Sequence, residues 1–281
     1  MRALTRHGAR RVPEITVAFW VLKALSTALG ESTSDWLVHA INPFVAVGLG
    51  FVGFLLALAI QFSRRRYIAW SYWLAVAAVG VFGTMAADAL HVGAKVPYQD
   101  STALYAVILI AVFVVWQRTE KTLSIHTIDS PRREIFYWLA VAATFAMGTA
   151  LGDLTAYTGH LGYLDSGILF AGIIAVPAVG FRFLGWNPIF SFWFAYVMTR
   201  PFGASFADYM GKPTTVSGLG WGDGPVALGL AAAMVVLVAY LTLSRRDVQR
   251  EAPDVAAARV GYQPVRIPRD EQPGFEGPPA R

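Results

Sequence analysis

The stretch Phe19-Trp20-Val-Leu-Lys23-Ala-Leu-Ser-Thr27-Ala-Leu-Gly30-Glu31-Ser-Thr-Ser34-Asp35 decides the fold, because its spacing returns three more times. Counting from Trp20, a glycine follows at +10 and an aspartate at +15. Tyr72-Trp73 leads in the same steps to Gly83 and Asp88, Tyr137-Trp138 to Gly148 and Asp153, and Phe192-Trp193 to Gly203 and Asp208. Four copies of one ruler mark an internal repeat, and a repeat fixes the architecture before any single element is assigned.

The chain has 281 residues, of which 56% are hydrophobic and only 15% charged. Soluble domains carry about 25% charged residues, so the deficit, with a mean hydropathy of +0.49, indicates a membrane protein. There are no cysteines, which removes disulfide and thiol chemistry. The basic N-terminus is not a cleavable signal, since the apolar run after it contains Lys23 and belongs to the first repeat.

Each repeat holds two apolar stretches close to the roughly 20 residues that cross hydrocarbon. They fall at 14–37 and 43–62, 68–91 and 101–117, 133–157 and 163–184, and 188–210 and 224–244. The reading is an all-α polytopic membrane protein of eight transmembrane helices in four parallel two-helix repeats. Its divisions are a basic cytoplasmic segment 1–12, repeats at 13–66, 67–130, 131–186 and 187–246, and a disordered cytoplasmic tail at 247–281, rich in Pro and charge.

Arg2, Arg6, Arg10, Arg11, Arg64, Arg65, Arg66, Arg118, Lys121, Arg132, Arg133, Arg182, Arg245, Arg246 and Arg250 fall on one side, and only Lys95 and Lys212 on the other. The positive-inside rule then puts both termini in the cytoplasm of a bacterial inner membrane. Basic residues so placed set orientation, and nucleic acid is not an expected partner.

The repeated aromatic-Trp pair reads as an interfacial belt or a helix-packing anchor, and the repeated glycine as a close-packing position. The aspartates are harder to explain as structure alone. Each lies about 22 Å along its helix from the Trp, toward the outer mouth. Asp35, Asp88, Asp153 and Asp208 would converge if the odd-numbered helices line one axis, as in the carboxylate rings of cation pathways. Crowded so, they would titrate as a set and need a cation to stay ionised together.

One turn inward, position +11 is Glu31, Thr84, Thr149 and Ala204, and position +7 is Thr27, Gly80, Phe145 and Arg200. Charges in the first and last repeats, with neutral residues between, make the ring asymmetric. Charges embedded in a membrane are expected to have partners. Those expected are Lys23 with Glu31, and Arg200 with Glu31 or Asp35. His39 follows Asp35 by four residues and His91 follows Asp88 by three, spacings open to metal ligation or to plain interfacial polarity. No P-loop, dinucleotide fingerprint, His-Glu-x-x-His or Ser-His-Asp order is present, so neither an enzyme nor a cofactor is expected.

The opening Val-Pro-Glu-Ile-Thr-Val-Ala-Phe-Trp through Gly-Glu-Ser-Thr-Ser-Asp, residues 12–35, resembles a bacterial family of repeat-containing membrane proteins known as membrane-anchored proteins of unknown function. The likeness covers about 12–245 and implies a multi-pass helical fold. It implies no reaction, cofactor or ligand. The residues favour a transporter or channel-like protein for a proton or a divalent metal. The binding set would be Asp35, Asp88, Asp153, Asp208, Glu31, Lys23, Arg200, Thr84 and Thr149. The alternative is a non-transporting scaffold or sensor whose charges are structural.

Overall fold

A computed structural model describes residues 10–249, and the described chain is all-helical. The residues before Arg10, and nearly all of the tail expected at 247–281, lie outside the described residues. Eight α-helices follow one another: α1 (Val17–Ala40), α2 (Pro43–Phe62), α3 (Ala69–Asp88), α4 (Tyr98–Glu120), α5 (Pro131–Asp153), α6 (Gly162–Leu184), α7 (Pro188–Gly211) and α8 (Asp223–Ser244). Six of them are long and apolar enough to cross a membrane; α1 and α7, which carry the buried charges, are not among these. The chain is a membrane protein.

The helix starts are written locally. Thr16, Asn42, Ser130 and Asn187 accept hydrogen bonds from first-turn amides of α1, α2, α5 and α7. Pro43, Pro131 and Pro188 follow three of these caps, where a missing N–H costs nothing. Gly185 closes α6 in the left-handed region at φ 68°.

The odd-numbered helices form a closed ring in which α1 packs on α3, α3 on α5, α5 on α7 and α7 back on α1. The even-numbered helices lie outside, α2 against α3, α4 against α5, α6 against α7 and α8 against α1. Burial follows this division. In the most apolar windows 50% of the residues are buried in α3 and 67% in α5, against 11% to 22% in α2, α4, α6 and α8. The outer helices present Val, Leu, Ile and Phe outward, as lipid contact requires.

The repeated glycines close the ring. A Cβ added to Gly30 would collide with the Gly80 backbone, one on Gly83 with Phe145, one on Gly148 with Arg200 and one on Gly203 with Thr27. Each +10 glycine therefore receives the +7 residue of the next repeat, and the fourth receives that of the first. Only a residue without a side chain lets these helices approach so closely.

At one end of the ring the chain is laced by short segments. Arg10–Glu14 pairs its backbone with Tyr67, Ile128 and Asp247. Asp247 is 2% exposed and accepts a hydrogen bond from the Tyr67 hydroxyl, so the ordered chain runs past the expected start of the tail.

Candidate functional site

The ring interior is layered, and the layers follow the repeat ruler. At the laced, basic end, Phe19, Tyr72, Tyr137 and Phe192 turn inward. Phe19 and Phe192 lie 6.0 Å apart, and the Tyr72 and Tyr137 hydroxyls share a hydrogen bond. Trp73, Trp138 and Trp193 are buried behind them. The aromatic pairs are thus packing anchors that plug the ring, not a belt of rings turned to the interface.

The next layer is Lys23, Val76, Val141 and Tyr196, all buried. Lys23 does not reach Glu31 as its spacing suggested. Its ammonium nitrogen lies 4.0 Å from the Phe145 ring centroid and 3.9 Å from that of Tyr196, with no hydrogen bond.

Arg200 fills the layer above and is wholly buried. Its Nη2 donates toward Glu31 Oε2 at 2.6 Å, Thr149 Oγ1 at 2.6 Å and Thr84 Oγ1, while Nη1 donates to the Thr27 carbonyl at 3.2 Å. Two hydrogens on Nη2 serve three oxygens, so one of them is shared. The threonine hydroxyls can accept because each gives its own hydrogen to a carbonyl one turn back, Gly80 at 3.0 Å and Phe145 at 3.1 Å. The +11 residues of the first three repeats thus converge on one guanidinium from the fourth. Of the two partners expected for Arg200, the structure chooses Glu31 over Asp35.

The aspartate layer forms the other, acidic end. Asp35 pairs with Lys212, and Lys212 also lies 3.6 Å from Asp223 and 3.9 Å from Asp208. Carboxylate oxygens of Glu31, Asp35 and Asp208 lie within 4.8 Å of one another, a spacing that suits a metal ion. Asp88 and Asp153 are half-buried and have no ion pair or hydrogen bond to their carboxylates among the described residues. Each is followed by a π-helical turn, Ala89–Gly93 after Asp88 and Leu154–Thr158 after Asp153, a feature frequent at functional sites. Nothing in the sequence pattern announced these turns.

The histidines do not join the carboxylates. His39 Nδ1 sits 2.6 Å from the Asp35 backbone carbonyl, and His91 Nδ1 sits 2.7 Å from that of Val96, with its ring stacked on Tyr98. No metal-compatible cluster among the described residues includes either one.

Sequence reasoning missed Lys212 and Asp223. Lys212 follows Asp208 by four residues, the one local signal. Asp223 is delivered by the Gly-rich connection 212–222 between α7 and α8, which folds back so that Leu219, Gly220, Trp221 and Gly222 donate to carbonyls of Tyr209, Lys212, Met210 and Gly211. At 19% side-chain exposure, Lys212 has its ammonium form favoured by Asp35, Asp208 and Asp223 despite partial burial. A second network was also missed. At the basic end buried Glu134 accepts from Arg11 at 2.5 Å and from Gln61 at 3.0 Å, and Ser71 donates to Gln61.

A family profile described as Repeat of Unknown Function (DUF347) matches residues 18–67, 71–122, 136–183 and 191–247. No curated protein or solved structure shows significant similarity to the chain.

Proposed function

We propose that this chain, which belongs to the DUF347 repeat family, is a membrane transport protein for a small cation, a proton or a divalent metal. In this reading all eight helices cross the bacterial inner membrane, with the basic end in the cytoplasm and the acidic end outside. The observation that carries the reading is the charge balance of the acidic end. Glu31, Asp35, Asp88, Asp153, Asp208 and Asp223 gather there, and among the described residues Arg200 and Lys212 are the cations paired with them. A surplus of carboxylates in so confined a space favours a mobile positive ion, since protons or metal ions relieve their repulsion.

The ion enters between the four aspartates and competes with the Lys212 ammonium for Asp35 and Asp208. Arg200, held by Glu31, Thr84 and Thr149, stops it one turn below. Passage requires Arg200 to give up Glu31 and the aromatic plug to part. Lys212 and Arg200 act as tethered counter-charges, so the loaded and empty protein exchange salt bridges for ion contacts. Pro201, next to Arg200, interrupts the hydrogen-bond ladder of α7 and gives that helix a place to bend.

The test is uptake of Na⁺, Mg²⁺ and Mn²⁺ into proteoliposomes, with proton movement followed by an internal dye. The double variant Asp35→Asn with Asp208→Asn should abolish the flux that wild type supports. Unchanged flux in that variant overturns the reading. A scaffold or sensor is the second reading, favoured by the hydrogen bonds that fix both terminal nitrogens of Arg200 to three repeats, although its Nε has no partner. It predicts no flux in wild type and a phenotype lost with residues 251–281.

A further inference from the structure

Among the described residues, Lys23 is the one buried cation of the ring that the acidic end does not use. Arg200 and Lys212 each hold a carboxylate, and so does Arg11 at the basic end. Lys23, at 1% exposure, holds none and donates no hydrogen bond. Two aromatic faces attract an ammonium, but they accept no proton bond and cannot replace a buried counter-ion. Lysine, unlike arginine, is able to give up its proton in such a place. The ionisable groups packed on it are few. From α7 these are Arg200 above and Tyr196 beside it; α5 offers the Phe145 ring there, and Tyr137 of α5 and Tyr72 of α3 lie one layer toward the basic end.

That direction carries a line of hydroxyls. The buried Tyr196 hydroxyl makes no hydrogen bond and lies beside that of Tyr137. Tyr137 and Tyr72 are hydrogen bonded through their hydroxyls, Tyr72 packs edge-on against Tyr67 at 5.6 Å, and Tyr67 donates to Asp247. Asp247 and Tyr67 line a cavity of about 240 Å³ at the basic end, together with Arg66 and Arg245. Burial pushes the Asp247 carboxyl above the usual range, which suits a group that passes protons. The aromatic plug thus blocks an ion but contains polar groups, of which Tyr72 with Tyr137 and Tyr67 with Asp247 are hydrogen bonded. The steps from Lys23 to Tyr196, Tyr196 to Tyr137 and Tyr72 to Tyr67 need a hydroxyl rotation or a water to close them.

We propose that Lys23 is a proton-exchange site, reached from the basic end through Asp247, Tyr67, Tyr72, Tyr137 and Tyr196. A proton leaves the ammonium along these hydroxyls to bulk water when a cation loads the carboxylates above, and one returns to the amine when they empty. The proposal rests on the transport reading only for what the proton is exchanged against.

The chain has four lysines, Lys23, Lys95, Lys121 and Lys212, so their side-chain nitrogens can be followed one by one in ¹⁵N-lysine NMR of the full chain in lipid nanodiscs. Lys23→Gln assigns the signal, and separate Lys95→Arg, Lys121→Arg and Lys212→Arg variants assign it by elimination if Lys23→Gln does not fold. The Lys23 signal should pass between ammonium and amine within the pH range over which the protein stays folded, and should move at constant pH when Mn²⁺ is added. Tyr137→Phe should slow its proton exchange several-fold while leaving Mn²⁺ binding in place. A Lys23 signal fixed as ammonium across that range, in protein that still takes up Mn²⁺, overturns the proton site alone. A titrating Lys23 with neither uptake of Na⁺, Mg²⁺ or Mn²⁺ nor proton movement across the membrane overturns the transport reading and supports the proton site.

Discussion

Repeats 1 and 4 differ from repeats 2 and 3 in what they hang on the same scaffold. All four share the Trp, Gly and Asp positions, and all four glycines make the same cross-repeat contact. Repeats 1 and 4 then add Lys23, Glu31 and Arg200 and tie their aspartates to Lys212. Repeats 2 and 3 carry Val76, Thr84, Val141 and Thr149 at matching steps, leave Asp88 and Asp153 unpaired, and follow them with π-helical turns. The packing is four-fold, while the added charges sit on two adjacent repeats of the four.

The largest effect that would sharpen this contrast comes from Arg200→Met. It strands Glu31 in a buried site, and removing one partner of a buried pair costs about 3–5 kcal/mol. Thermal unfolding in detergent should fall sharply, and adding Glu31→Met should recover most of the loss. If the single variant is as stable as wild type, the guanidinium is not what holds the three repeats to the fourth.

Next is Gly148→Ala, whose Cβ meets Arg200 and Pro201. Overpacking of this kind costs about 1–3 kcal/mol. Gly53→Ala on the outer helix α2, where a Cβ meets nothing, should be neutral or stabilising. Equal effects from the two would break the distinction between ring and outer layer.

Smaller shifts separate the aspartates. Asp35→Asn loosens Lys212, which keeps Asp208 and Asp223 beside it, and should cost less than Arg200→Met. Asp88→Asn removes a charge with no partner and should leave the unfolding temperature unchanged or raised. Both should weaken Mn²⁺ binding measured by calorimetry. A stability loss from Asp88→Asn larger than that from Asp35→Asn would reverse the assignment of paired and unpaired halves.

The smallest is a pH effect at the basic end. A carboxyl pushed up by burial favours its protonated form in the folded chain, so Asp247 contributes stability at low pH that is lost as the pH rises through its folded value. Asp247→Asn should flatten that slope in unfolding scans without moving the acidic end.

Much of this was legible in the letters. The ruler from Trp20 to Asp35 gave the repeats, and hydropathy put α1 at 14–37 where it runs Val17–Ala40. The same ruler brought Glu31, Thr84, Thr149 and Arg200 into one layer. Three things were hidden, each for a physical reason. An aromatic near a helix end reads alike whether it faces lipid or a neighbour, so the inward turn of Tyr72 and Tyr137 needed the ring. Lys23 shares a helix face with Glu31, but the shorter route from Arg200 across the axis wins that carboxylate. Lys212 and Asp223 meet only because the Gly-rich loop folds back, and loop closure leaves no periodic trace.

The handoff of each glycine to the following repeat, ending where it began, has a consequence for chain order. Nothing in such a wheel marks a first spoke. The backbone of Glu14 already bonds that of Asp247 at 2.8 Å, so the seam between the segment before α1 and the segment after α8 is nearly sutured. A circular permutant that joins these ends with a short linker and opens between α4 and α5 would reassemble the same wheel from a different starting spoke.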